Sequence, residues 1–117
     1  MKFQYDQLEN GIRLIKLSGK LDTNGTYSVE IEFIRHCMGE KVLILVDLSK
    51  VSYISSIAIP MLVNGARSVV SRGGRMGLLS PSRNVLDVLD LVGVLQIIPV
   101  YHNLKSATTG MLQGVNT

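Results

Sequence analysis

Val42-Leu43-Ile44-Leu45-Val46 is an unbroken run of branched aliphatic residues that turns polar at once, into Asp47-Leu48-Ser49-Lys50-Val51-Ser52-Tyr53-Ile54-Ser55-Ser56. The apolar run is too short for an ordinary helix and shows no alternation, which predicts a strand buried on both faces. Such a strand needs a covering layer on each side, so it predicts the centre of an α/β sheet. The polar stretch is then the expected connection from the strand's carboxyl end into the next helix, where open α/β sheets carry their sites.

Downstream of this stretch, Ala58, Leu62, Ala66 and Val69 form one apolar stripe and Asn64, Arg67, Ser68, Ser71 and Arg72 a polar one, predicting a helix from about Ile57 to Ser71. Gly73-Gly74 stops it, and Arg75 to Leu79 reads as a short strand. Ser80-Pro81-Ser82 introduces a helix carrying Val85, Leu86, Leu89 and Val92, ended by Gly93. Ile97 to Tyr101 reads as a last strand, and Asn103 as the cap of a final helix toward Leu112.

Upstream, residues 2 to 8 and 12 to 18 read as strands around Glu9-Asn10-Gly11, since Asn-Gly supplies the positive φ angles of a tight hairpin. Asp22 and Asn24 are both able to cap a first helix, in which Tyr27, Ile31, Ile34 and Met38 fall at helical spacing before Gly39. The order β-β-α-β-α-β-α-β-α predicts an α/β fold: a mainly parallel mixed sheet of about five strands with about four helices, opening with an antiparallel hairpin.

At 117 residues, 46% hydrophobic and 18% charged, the chain suits one domain with one core, expected over residues 1–112, with 113–117 as a frayed tail. The lone Cys37 has no partner for an internal disulfide, and no Cys/His cluster suggests a metal; neither cofactor nor metal is expected. Lys2, Gln4, Asp6 and Glu9 interrupt the N-terminal apolar residues, unlike a signal peptide, and no run reaches the roughly twenty residues of a membrane span. A reducing cytoplasm is the expected compartment. The net charge of +3 is spread from Lys2 to Lys105 without a dense run, which argues against nucleic acid as a partner.

Ser55 and Ser56 arrive at the start of a helix, where unpaired N–H groups and the positive dipole end suit a serine cap and equally a phosphate. Capping alone accounts for such serines; a modified serine is the other reading.

The stretch Asp47-Leu48-Ser49-x-Val51-x-Tyr53-Ile54-Ser55-Ser56-x-Ala58-Ile59 resembles, without gaps, the signature of the STAS domain family, particularly its anti-sigma factor antagonists. Gly19-Lys20-Leu21-Asp22 resembles the family's G-x-L-D, and Leu91-Val92-Gly93-Val94 with Ile97 and Tyr101 resembles the turn after its third helix. The resemblance implies a STAS-like fold and a non-catalytic bacterial switch. Ser56 would be phosphorylated by an anti-sigma factor that is also a serine kinase, and a serine phosphatase would reverse this. The unmodified protein would occupy the anti-sigma factor, and a phosphate of about −1.5 to −2 charges would release it.

Two positions depart from the family pattern: Ala58 stands where Gly is usual, and Pro60 follows. With Ser56 as the cap, Pro60 would be the fourth helical residue and crowd the Ser56 carbonyl; a start nearer Ile59 would leave Ser56 in the loop. The helical period groups Ile57, Met61, Asn64 and Ser68 on one face, so Ile57, Pro60, Met61 and Asn64 beside Ser55 are candidate partner contacts, with Met61 equally suited to the core. Asp22, Thr23 and Asn24 are further candidates, because in the resembled fold their loop lies near the serine; for Asp22, helix capping is the competing role.

A receiver domain with Asp47 as phosphoacceptor fits less well, because no acidic pair follows the first strand and the hairpin contradicts that topology. His36 and Cys37 are neighbours, pointing about 100° apart on a helix, and form no base–nucleophile pair. Gly73 to Gly77 follows a helix and precedes a strand, the reverse of a phosphate-binding loop. The alternative is a STAS scaffold or adaptor without a phosphoswitch, in a signalling or lipid-transport assembly.

Overall fold

In a computed structural model, which describes residues 1–113, strands β1 (Lys2–Gln7) and β2 (Arg13–Leu21) form the expected antiparallel hairpin. Gly11 takes φ 88° in the turn, and the Asn10 side-chain oxygen accepts the Ile12 N–H at 3.1 Å. Helix α1 (Thr23–His36) leads to β3 (Leu43–Ile54), α2 (Ala58–Ser71), β4 (Arg75–Leu79), α3 (Arg83–Leu91), β5 (Val100–Tyr101) and α4 (Leu104–Gln113). The sheet runs in chain order, β1-β2-β3-β4-β5, with every pair after the hairpin parallel. Ile44, Leu45 and Val46 are fully buried at its centre, with hydrophobic clusters on both sides.

Right-handed crossovers that always advance in one direction place their helices on one face of the sheet. Accordingly α1, α2 and α3 contribute Phe33, Leu62 and Leu89 to one cluster, while Ala107 and Met111 of α4 close Leu14, Leu45 and Leu79 on the other face. The strand order never reverses, so the sheet lacks the switch point at which open α/β sheets form a ligand crevice.

Several boundaries differ from the sequence expectation. Strand β3 continues through the polar stretch to Ile54 rather than ending at Val46, because Leu48, Val51 and Ile54 keep an inward side while Ser49, Lys50, Ser52 and Tyr53 are exposed. Asp47 therefore lies mid-strand, its carboxylate accepting the Ser49 N–H at 2.9 Å, and not at a carboxyl end. The last strand shortens to Val100–Tyr101, since Val94–Gln96 winds into a 3-10 turn after Gly93 at φ 83°. Gln113 closes α4; the remainder of the expected tail, 114–117, lies outside the described residues.

Helix α1 carries two apolar stripes, and the one at Tyr27, Ile31 and Ile34 faces solvent, as does Met38 just past the helix's end. Gly25, Thr26, Val29 and Phe33 are buried instead. A Cβ on Gly25 would fall on the Lys20 carbonyl oxygen, and one on Gly65 of α2 would stand 2.7 Å from the Phe33 ring. These close approaches dock the Gly25–Phe33 stripe and turn the other outward. Two arginines secure the helix's end: Arg13 donates to the His36 and Met38 carbonyls at 3.0 and 2.8 Å, and Arg72 to those of Cys37 and Gly39 at 2.7 and 3.0 Å. Cations at a helix C-terminus also oppose its negative dipole end.

Candidate functional site

The parallel strands β2 and β3 end together, with Leu21 paired to Ile54. Each hands its chain to a helix, and the sequence-predicted residues gather around these two exits. On the β2 side Asp22 caps α1, its carboxylate accepting the Gly25 N–H at 2.7 Å. Thr23 and Asn24 follow, both exposed in the first turn. On the β3 side the Ser55 N–H and hydroxyl both donate to the Leu21 carbonyl at 2.9 Å, tying the two exits together.

Ser56 is exposed and Ile57 half-buried, and it is Ile57 that occupies the capping position of α2, without any side-chain cap. The expectation of a serine cap is therefore corrected. The Ser55 hydroxyl is turned back to Leu21, and the helix starts one residue too late for Ser56. Pro60 becomes the third helical residue, not the fourth or the first. The leading N–H groups of a helix have no intrahelical acceptor, so a proline there loses no bond. Ala58 is fully buried, its methyl in the core rather than over Ser56.

Pro60, Met61 and Asn64 line a groove of about 400 Å³ between α1 and α2, with Ile34 and Met38 as its other wall. Met61 is 5% exposed, so it is a core residue that also forms part of the groove's surface. Asp22 and Asn24 instead border a separate shallow depression with Lys20 and Ser28. The candidates thus form two groups, linked through the Ser55–Leu21 bonds. The spacing of Ile34 and Met38 marks a helix but does not tell which of its two apolar stripes the sheet covers, so the sequence alone does not single out this wall.

Buried Cys37 also borders the groove. Burial pushes its thiol up to about 11, against the pull of the Arg72 and Arg13 guanidiniums. It stays protonated at neutral pH and is a poor nucleophile there. No helix among the described residues is long and apolar enough to cross a membrane.

Residues 6–107 match the family model described as STAS domain. An anti-sigma F factor antagonist of Paenibacillus polymyxa is 24% identical over 102 residues, covering 85% of this chain and 86% of that protein. Among solved structures, an anti-sigma-factor antagonist (STAS) domain protein of Planctomyces limnophilus superposes with a TM-score of 0.84 at 20% identity, covering 94% of this chain and 97% of the other. The anti-sigma factor antagonist SpoIIAA in its unphosphorylated form gives 0.73 at 20% identity, over 90% and 92% of the two chains. The same cell fate determinant of Bacillus, in its phosphorylated form, gives 0.66 at 18%, over 92% and 98%. At these identities the structures share the fold.

Proposed function

The chain belongs to the STAS domain family, and on that footing we propose that it is a cytoplasmic, non-catalytic anti-sigma factor antagonist switched by phosphorylation of Ser56. The observation that carries the proposal is the contrast within the serine pair: the Ser55 hydroxyl is committed to the Leu21 carbonyl, whereas Ser56 is exposed and caps nothing. A kinase gains access to Ser56 without breaking a structural bond. The first turn of α2 holds no acidic residue and its positive end lies immediately downstream of Ser56, which favours a phosphate there, while the Asp22 carboxylate capping α1 on the neighbouring exit opposes it.

The partner is an anti-sigma factor with serine kinase activity, bound across Ser55, Ile57, Pro60, Met61 and Asn64 on one side and Asp22, Thr23 and Asn24 on the other. A phosphate between these groups adds charge and a hydration shell that a close protein interface cannot accommodate, which releases the partner. A serine phosphatase resets the switch, and Ser56 is its substrate rather than a catalyst. The phosphorylated form known for the Bacillus relative supports this reading. Neither departure from the family pattern stands against it, because Ala58 points into the core and Pro60 occupies a position needing no donor.

The test is intact-mass and peptide mapping of protein purified from its host, with partner capture by Ser56→Ala and Ser56→Asp in parallel. Phosphate on Ser56, with capture kept by Ala and lost by Asp, is the expected result. Protein unphosphorylated under all growth conditions, with both variants capturing the same partners, would overturn the switch and leave a STAS scaffold or adaptor.

A further inference from the structure

Strand β1 stands at the open edge of the sheet, bonded among the described residues only to β2. Its pairing runs unbroken from Lys2 opposite Ser18 to Gln7 opposite Arg13, and it contains neither proline nor bulge. The opposite edge, β5, is only two residues long. Sheet edges are ordinarily blunted by shortness, proline, bulges, charged side chains or a cover, because their free N–H and C=O groups recruit other strands. Strand β1 uses none of the first three. It carries instead two exposed charges of opposite sign, Lys2 and Asp6, on the face of the strand that also presents Gln4.

We propose that β1 is a homodimer interface: it pairs antiparallel with β1 of a second copy about a two-fold axis at Gln4, joining the two sheets into one. The register follows from arithmetic on the strand. In an antiparallel pair, residues whose backbone groups point outward must face residues that also point outward, which confines the axis to a residue rather than a gap between residues. An axis at Phe3 sets Lys2 against Gln4, and one at Tyr5 sets Gln4 against Asp6. Only the axis at Gln4 sets Lys2 against Asp6 of the second copy, twice by symmetry, with Gln4 opposite its own counterpart.

The other face of the strand agrees with this register. Phe3 and Tyr5 lie on the α1 side, with ring centroids 5.1 and 4.4 Å from that of His36, and Tyr5 remains 39% exposed. A two-fold axis perpendicular to the sheet keeps like faces together, so Phe3 of each copy lies opposite Tyr5 of the other and covers that exposed ring. Aromatic and opposite-charge cross-strand pairs both favour association.

Sedimentation equilibrium of the full chain tests the proposal, with Lys2→Glu, Asp6→Lys and the double exchange, each checked for an unchanged circular dichroism spectrum. The wild type should dimerise. Each single variant replaces two attractions by two repulsions and should raise the dimer Kd roughly ten- to a hundredfold. The double exchange should restore it, and mixing the two single variants should give a heterodimer tighter than either homodimer, because both ion pairs then reform. A wild type monomeric at every attainable concentration, or a dimer indifferent to these exchanges, would overturn it.

Discussion

The backbone N–H and the hydroxyl of Ser55 converge on a single acceptor, the Leu21 carbonyl, each at 2.9 Å. The pair closes the gap where β2 and β3 release their chains, so Ser55 is structural and its neighbour Ser56 is free. Ser55→Ala should therefore lower unfolding stability by about 1 kcal/mol, the ordinary value of a half-buried hydroxyl bond. Ser56→Ala should change it by less than about 0.5 kcal/mol, as at other surface positions. Urea titration of both variants separates the two serines without reference to any partner.

Arg72 ties α1 to α2, through the Cys37 and Gly39 carbonyls and the Ser68 hydroxyl at 2.7 Å. Arg72→Ala should destabilise by about 2 kcal/mol, since its bonds are charge-assisted. Arg72→Lys should recover only part of this, because an ammonium lacks the planar fork that reaches several acceptors. Thermal unfolding of the two variants gives the comparison.

Thr26 is fully buried and its hydroxyl has no hydrogen-bond partner among the described residues. Valine has nearly the same shape without the stranded polar atom, so Thr26→Val should stabilise the fold, by about 1 kcal/mol. An unchanged or lower urea midpoint would mean that the hydroxyl is satisfied in solution.

Cys37 gives the fold an alkaline sensitivity. Its thiol ionises near pH 9 in the unfolded chain and is pushed up to about 11 by burial in the folded one. Between those values the folded state holds more protons, so stability from this group is intact below pH 9 and falls as pH rises toward 11. The loss should reach about 2 kcal/mol, and Cys37→Ala should flatten that part of the pH profile. Native Cys37 should also resist iodoacetamide at neutral pH until the protein is unfolded.

Much of the architecture was legible because local chemistry and tertiary packing agree. Arg75 to Leu79 is a strand as expected, Asn10-Gly11 makes its turn, and Asn103 caps α4 by accepting the Ser106 N–H at 2.8 Å. The expectations failed where two patterns compete in one segment. Polar residues after Val46 suggested a loop, yet widely spaced Leu48, Val51 and Ile54 are enough to hold a half-exposed strand. The orientation of α1 was illegible for a related reason: steric room at Gly25 and Gly65, two distant glycines, decides which stripe is covered. The candidate site was located through its serines, but its assembly rests on the Leu21 carbonyl, and a backbone acceptor leaves no mark in a sequence.

Because sheet order follows chain order, the molecule suits growth from one end. As a nascent chain lengthens, each strand meets an edge already laid down by its predecessor, and none must be threaded between two earlier ones. Every closure after the hairpin spans a single helical crossover, which keeps the entropic cost of each step small. Only α4, crossing to the other face, must await the finished sheet, so the helix that follows all five strands is also the one that seals Leu45 and Leu79 from water.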